Sequence, residues 1–354
     1  MSHPFSQQSI RHLLLLFTLL MSCNNAFAEV KVQRFFKWFD QWLEAGQLEG
    51  IDTLYVGIPQ LNHQVYVGSY VYWHNYKMHM PFDIVDASTF IPGIHDSDRY
   101  DINAHTWQTE LELGIDWKGL ALEIPIPIRN KYQLSLGLAK NGSVWGARVR
   151  YKYLPHMSGS CNIGDREIDE ESNALKIFYL EGYYVLFHKK FSLSAGLYAD
   201  MVQKRSAGSP LIYANYYQSI YDINKTFPAN YDHFRTRQIS LGAGYAYNFS
   251  FLEGKLVFHT SLVPMFSFYN HLAHYTNYDD GEDLKQWTDF YDAADGKAPR
   301  VKINAFARFA ANYSFSHYII SLLANYRYFG YSNTKSLKII NQEADFQINL
   351  CRRF

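Results

Sequence analysis

The sequence predicts an all-β chain: a transmembrane, antiparallel, up-and-down β-barrel of about 12 strands with a short N-terminal amphipathic helix. Three observations carry this reading. From residue 61 onward apolar and polar residues alternate with a period of two, the mark of strands with two unlike faces. Past residue 28 no run of about 18 apolar residues exists that could cross a bilayer as a helix. The chain ends on Phe354, in the middle of an alternating stretch, with no polar tail. Composition agrees: aromatics make up 17% of the 354 residues, with 29 Tyr and 25 Phe. The 33 basic and 33 acidic side chains cancel, which removes the electrostatic footprint a nucleic-acid binder needs.

Residues 1–28 read as a secretory signal. Arg11 and His12 precede the apolar stretch Leu13 to Met21, and Ala26 to Ala28 offers small residues for cleavage. A second reading takes "LMSC" as a lipoprotein signal acylated at Cys23. Residues 29–60 form a periplasmic amphipathic helix and linker. In residues 31–46 Val32, Phe35, Phe36, Phe39, Trp42 and Leu43 fall on one helical stripe. This helix packs on its own domain or lies at a membrane interface.

Residues 61–354 form the barrel. In 301–315, Ile303, Ala305, Ala307, Phe309, Ala311 and Tyr313 share one face, while Asn304, Arg308, Ala310 and Asn312 share the other. In 110–117, Leu111, Leu113, Ile115 and Trp117 oppose Glu110, Glu112, Gly114 and Asp116. A soluble sandwich also alternates. The membrane reading is preferred because Gly and Ser crowd the polar face, aromatics gather at strand ends, and the strands exceed the usual length of about five or six residues. Strands are expected near 63–78, 105–117, 119–128, 131–139, 143–154, 174–187, 191–217, 236–248, 254–268, 300–314, 317–329 and 343–354. Tight turns fall near Lys118, 140–142, 188–190, 252–254 and Ser316, and the long connections alternate with them, the short one at Arg129–Asn130 excepted. Outer-membrane barrels show this asymmetry, with tight turns on the periplasmic side. The sorting requires 191–217 to be one long strand, bent at 206–210 where Gly208 and Pro210 suit a bulge.

Phe354 then ends the lipid-facing set of Phe346, Ile348 and Leu350. It resembles the C-terminal aromatic signal read by the barrel-insertion machinery of Gram-negative outer membranes.

The segments "GIDWKGLALEIPI", "KKFSLSAGLYADMVQKRSAGS", "ISLGAGYAYNF", "SLVPMFSF" and "INAFARFAANY" follow one another in this chain. In that order they resemble the Gram-negative outer-membrane family known as domain of unknown function 4421, over most of residues 50–354. The resemblance implies an exported outer-membrane barrel. It brings no activity, substrate or catalytic residue with it.

The lumen is where chemistry is expected. Alternation points Glu110, Glu112, Glu123, Arg148, Arg150, Glu181, Arg308 and Arg327 inward, and puts Lys204 and Arg205 at the bend of the long strand. Acidic and basic groups on nearby strands allow two outcomes. One is a narrow pore or a solute-binding channel for a small charged solute. The other is a structural or surface-interaction barrel whose lumen is closed by salt bridges. Lys204, Arg205 and Ser206 could bind a luminal anion, or Arg205 could pair with a carboxylate such as Glu181. An arginine at Ala307 should be costly, and one at Ala310 far less so if the lumen has room.

A lipid-active enzyme is the third reading. His259 and Ser261 share one face of a strand, but that face is the inner one. "HLAH" at 271–274 is a conceivable metal site beside an acidic loop. No metalloprotease, nucleophile-elbow, phosphate-loop or dinucleotide pattern occurs. The expectation is therefore no enzyme, no catalytic residue, no cofactor and no metal. The expected partners are outer-membrane lipid and the insertion machinery, and the expected location is the outer membrane of a Gram-negative bacterium after secretion to the periplasm.

Overall fold

The computed structural model describes residues 34, 37–38, 41, 50–59, 61, 63–81, 99–128, 134–163, 166–222, 231–276, 286–289, 302–332 and 338–354. The chain divides into two compact units, Met1–Gly46 and Gln47–Phe354. In the first, Arg34, Lys37, Trp38 and Gln41 are helical and exposed. The signal segment and the apolar stripe of the predicted helix lie outside the described residues.

The second unit is built from strands: β1 (Val56–Gly57), β2 (His63–Pro81), β3 (Arg99–Trp117), β4 (Leu120–Pro127), β5 (Leu134–Lys140), β6 (Trp145–Ile163), β7 (Arg166–Val185), β8 (Val202–Gln203), β9 (Ala207–Asp222), β10 (Tyr231–Phe251), β11 (Leu256–Thr276), β12 (Gln286–Asp289), β13 (Lys302–Phe315), β14 (Tyr318–Ser332) and β15 (Lys338–Arg353). All except β1, β8 and β12 pair antiparallel with their neighbours along the chain, and β15 returns to β2 to close a ring of 12 strands. β12 extends the edge of β11 near the loops. No helix among the described residues is long and apolar enough to cross a membrane.

Alternation sets the two faces as the sequence predicts. Leu111, Leu113 and Ile115 are exposed on the outside of β3, while Glu110, Glu112 and Asp116 are buried inside. Phe346, Ile348 and Leu350 likewise face out from β15, opposite Asp345 and Gln347. Exposed aromatics ring both edges of this apolar belt. Trp117, Phe249, Phe251, Tyr313 and Phe315 stand near the tight turns, and Trp107, Phe266, Phe268 and Tyr269 near the loops. A belt with aromatic girdles is the surface a bilayer requires.

The tight turns rest on left-handed backbone. Lys118 (φ 52°) and Gly119 (φ 80°) join β3 to β4, which suits the twist of a hairpin. Ser316 (φ 53°) serves the turn between β13 and β14.

Two features depart from a plain up-and-down barrel. First, β4 and β5 are only 8 and 7 residues long, whereas the other barrel strands run from 14 to 21. Beyond this short hairpin β3 pairs directly with β6, from His105↔Ser158 to Tyr100↔Ile163. Gly159 permits this approach, because a Cβ there would strike the Asn103 carbonyl and Ala104.

Second, the strand expected at 191–217 is corrected. The wall strand is β9, which starts at Ala207 and pairs with β10 in unbroken register from Ala207↔Asn248 to Asp222↔His233, with no bulge at Gly208 or Pro210. Residues 186–206 leave the wall. They carry a five-residue helix, Leu193–Leu197, all of it buried, capped by Ser192 Oγ accepting from the Ala195 amide at 3.2 Å. They also carry β8, which pairs with β1. The stretch Phe191, Leu193, Ala195, Leu197 alternates like a strand, yet every side of it is buried, so period two has no solvent or lipid face to serve. Strand parity survives because β9 still supplies one crossing.

Candidate functional site

The lumen has three layers. At the turn end, the inward segment fills the mouth. Its backbone carbonyls are held by side chains from four strands. Asn248 donates to Ser192 O (2.7 Å), Asn312 to Gly196 O (2.6 Å), Gln64 to Tyr198 O (3.2 Å), and Arg353 to Ala199 O. A Cβ on Gly196 would collide with Asn248 and His259, so only glycine allows this depth of insertion. Phe191, Leu193 and Leu197 pack against Tyr213, Val263, Met265, Phe306 and Ala310 from the wall.

The middle layer is ionic. Glu123 receives Arg150 and Arg148, the latter at 3.2 Å. Arg148 also donates to the Tyr198 hydroxyl and stacks over that ring, 5.0 Å from its centroid, which ties this layer to the inward segment. Glu112 accepts from Gln347 and from the Tyr66 hydroxyl at 3.1 Å. Glu181 pairs with Arg308 at 2.9 Å, and Arg327 pairs with Asp345 at 2.9 Å. Lys152 donates to Tyr70 at 2.9 Å and sits 3.5 Å from the Tyr72 ring centroid. Glu110 is buried within electrostatic reach of Lys152 and Arg150.

The loop-end layer is aromatic. Tyr76 stacks on Tyr221 at 4.5 Å and Tyr217 on Phe329 at 4.1 Å, with Met78, Phe234 and Leu272 around them. All of these are buried.

Glu110, Glu112, Glu123, Arg148, Arg150, Glu181, Arg308 and Arg327 therefore lie together inside the barrel. Lys204 and Arg205 do not. Both are exposed at the turn end, where Lys204 Nζ donates to Thr53 O at 3.0 Å and Arg205 stands 5.7 Å from the Tyr55 ring. They follow β8 rather than a wall strand, so alternation cannot carry them inward. The partner of Glu181 is Arg308, not Arg205. The tyrosines that fill the loop end escaped sequence reading. In 70–76 aromatics occupy both faces, and the pattern does not say which face is the core.

Ser261, His259 and Asn248 form a hydrogen-bonded line. Asn248 Nδ2 donates to Ser192 O and to Gln203 (3.1 Å), which fixes its oxygen toward His259 Nδ1 at 2.7 Å. An acceptor there places the ring proton on Nδ1, so Nε2 accepts from Ser261 Oγ at 3.1 Å. A nucleophile, base and orienting group share this polarity. Here His259 is 0% exposed, and the line ends on the backbone of the inward segment. Its evident work is to dock that segment.

Space is scarce. One cavity of about 30 Å³, lined by Gln64, Asp116, Glu123, Tyr198 and Cys351 among others, has room for a few waters. A pocket of about 410 Å³ opens at the loop-end rim between β2, β3 and β15, with Met78 and Ile102 among its lining. Among the described residues no group of three or more His, Cys, Asp or Glu is placed to hold a metal ion. His274 of the "HLAH" motif lies outside the described side chains.

A closed ring of long antiparallel strands, with an apolar outer belt and a polar, charged interior, defines an integral β-barrel of the outer-membrane type. The particular family follows from sequence: residues 108–354 match the family described as Domain of unknown function (DUF4421), and the chain belongs to it. No curated protein matches the chain. Among solved structures the chain is similar to the outer membrane protease OmpT from Escherichia coli, at 8% identity, covering 82% of this chain and 96% of that one with a TM-score of 0.36. It is also similar to the translocator domain of the autotransporter NalP from Neisseria meningitidis, at 10% identity, 93% and 96% coverage and a TM-score of 0.34. The β domain of the Bordetella autotransporter BrkA gives 8% identity, 81% and 99% coverage and a TM-score of 0.34. Likeness this distant carries no functional weight.

Proposed function

We propose that this protein is a non-conducting outer-membrane barrel, a structural or surface-interaction protein rather than a pore. The observation that supports this is the filling of the lumen along its length by the inward segment, the ion pairs and the aromatic layer. A conducting pore needs a continuous polar path. Here buried apolar side chains interrupt it at both ends.

In this reading the chain is exported to the periplasm and assembled with its tight turns on the periplasmic side. Phe354 acts as the signal for the insertion machinery. The loops and the rim pocket face outward, where a partner or a small charged solute would meet them. The buried Ser261–His259–Asn248 line has no route to substrate while the inward segment stays docked, which favours a scaffold over a lipid-active enzyme.

Planar-bilayer recording tests this. Purified wild-type protein is expected to give no steady single-channel current. Steady, reproducible wild-type channels would sink the proposal.

A further inference from the structure

The outer face of β3, β2 and β15 changes character toward the loops. Nearer the turns it is apolar, with Leu111 and Leu113 on β3 and Phe346 and Ile348 on β15 all exposed. Trp107 stands above them, 68% exposed, its ring centroid 6.2 Å from that of Trp73 on β2. Beyond these two rings the outward positions turn polar and lie in register. Asn75 faces His105 on β3 and Gln342 on β15. Lys77 faces Asn103 and Ile340, and His79 faces Asp101 and Lys338. Successive rows are roughly 7 Å apart along a strand, and neighbouring columns about 5 Å apart. Three rows rich in donors and acceptors thus sit directly on an aromatic girdle, the level of a bilayer interface.

The first row is tied down and the next two are open. Asn75 Nδ2 donates to Gln342 Oε1 at 3.0 Å, and Gln342 Nε2 donates to the Tyr326 hydroxyl at 3.1 Å. Asp101 pairs with His79 through one carboxylate oxygen, which orients both side chains. Lys77, Asn103, His105 and Lys338 are exposed, and among the described residues they make no side-chain hydrogen bond or ion pair. The rim pocket of about 410 Å³ opens at this level. Lys77, His79, Asp101, Asn103 and Lys338 supply its polar lining, and Met78, Ile102 and Ile340 its apolar lining. Its volume falls in the range of small-ligand sites.

We infer that this face binds the sugar headgroup of an outer-leaflet glycolipid, with the sugar in the rim pocket and the acyl chains along Leu111, Leu113 and Phe346. The polar groups match hydroxyls. A carboxylate only accepts, a lysine only donates and an amide does both, so Asp101, Lys77 and Asn103 together fit a ring that carries several donors and acceptors. Asp101 would repel a bare anion. Met78, Ile102 and Ile340 suit the C–H face of a sugar ring. Continuity with the lipid-facing strip below Trp107 selects a glycolipid over a soluble saccharide. The inference names a ligand class for the rim pocket. It rests on the outer-membrane placement proposed above and not on the closed lumen.

The test uses full-length protein in lipid discs of phosphatidylethanolamine. The discs are doped with dephosphorylated lipid A, which keeps its two sugars, or with phosphatidic acid, which has a phosphate and no sugar. Retained lipid is read by native mass spectrometry after transfer to detergent. Wild type is expected to retain the dephosphorylated lipid A and to lose phosphatidic acid. Asn103→Ala with His105→Ala should weaken retention roughly 10-fold, the effect of losing one or two hydrogen bonds. Heat-modifiable gel mobility checks that each variant is folded. If the double variant does not fold, Lys77→Met on β2 supplies the same comparison. Equal retention by the folded variants, or equal retention of phosphatidic acid, overturns the inference. So does full displacement of the glycolipid by free diglucosamine at the same concentration. A chain that does not insert into the discs overturns it together with the outer-membrane placement. A wild-type barrel that conducts yet retains the glycolipid would remove the closed-lumen proposal and leave this one standing.

Discussion

Arg308 on β13 reaches Glu181 on β7 at 2.9 Å, although β9, β10 and β11 separate their strands in the wall. The pair is a chord across the lumen, and Arg308 also donates to the Tyr213 hydroxyl at 3.0 Å. Arg308→Ala leaves Glu181 buried without its partner. Loss of one member of a buried pair costs about 3–5 kcal/mol. Thermal or denaturant unfolding of the refolded protein should show a marked loss. Replacing both residues by apolar ones of similar volume should recover most of it. A single variant as stable as wild type would mean that the chord carries no stability.

Arg148 joins the ionic layer to the inward segment through Glu123 and Tyr198. Arg148→Ala should therefore lower the melting temperature and also speed amide exchange in residues 193–200. Tyr198→Phe should speed exchange there with a smaller loss of global stability. Unchanged exchange in both variants would place the hold on the segment elsewhere, in Asn248, Asn312 and Gln64.

Burial first, and then the charge of Asp116, push the Asp200 carboxyl up to about 7, with Lys140 and Arg353 opposing. An aspartate in the unfolded chain titrates near 3.9. The folded state thus holds this proton more tightly. Its contribution is fully present below about 4 and is lost as pH rises through about 7. The inward segment should exchange faster at pH 8 than at pH 6, after correction for intrinsic rates, and Asp200→Asn should flatten that difference. A segment equally protected at both pH values would contradict this.

Ala307 faces outward between Leu262 and Tyr326. Arginine there should cost about 2–4 kcal/mol if it lies near the bilayer midplane. Ala310 is 0% exposed and packed in the apolar cluster around Phe191 and Leu193. The room that the sequence reading allowed at this position is absent. Arginine at Ala310 should also be poorly tolerated, through overpacking and a buried unpaired charge. Refolding yields and unfolding midpoints in lipid vesicles would report both.

Phe354 closes a seam. Its amide donates to His63 O at 3.0 Å, and its ring lies 5.9 Å from His63, which stacks on Trp117 at 3.7 Å. Removing Phe354 should lower the amount of assembled barrel in cells. Unchanged assembled levels would argue against a terminal insertion signal.

What was legible in the sequence followed from alternation against two unlike media. Where lipid lies on one side and charge on the other, as at Glu110 to Trp117 or Phe346 to Leu350, each residue reports its own face. Where the inner face is itself aromatic, as at Tyr70, Tyr72 and Tyr76, that contrast disappears and the filling cannot be read. The stretch from Phe191 to Leu197 misleads for a related reason: it alternates, but protein surrounds it on all sides. The Arg308–Glu181 chord is invisible because pairing across a lumen depends on closure, which no local pattern encodes.

The short β4–β5 hairpin has a geometric consequence. Where β3 meets β6 beyond it, the wall holds two strands fewer. Barrel diameter grows roughly in proportion to strand number. The barrel is therefore funnel-shaped inside, slimmer toward the loops and broader toward the turns. At the slim end tyrosine and phenylalanine rings are long enough to meet across the gap. At the broad end they are not, and a length of backbone, residues 191–201, takes up the difference. Extending the hairpin until it matches its neighbours would turn the funnel into a cylinder, with more space at the loop end than its aromatic rings can close.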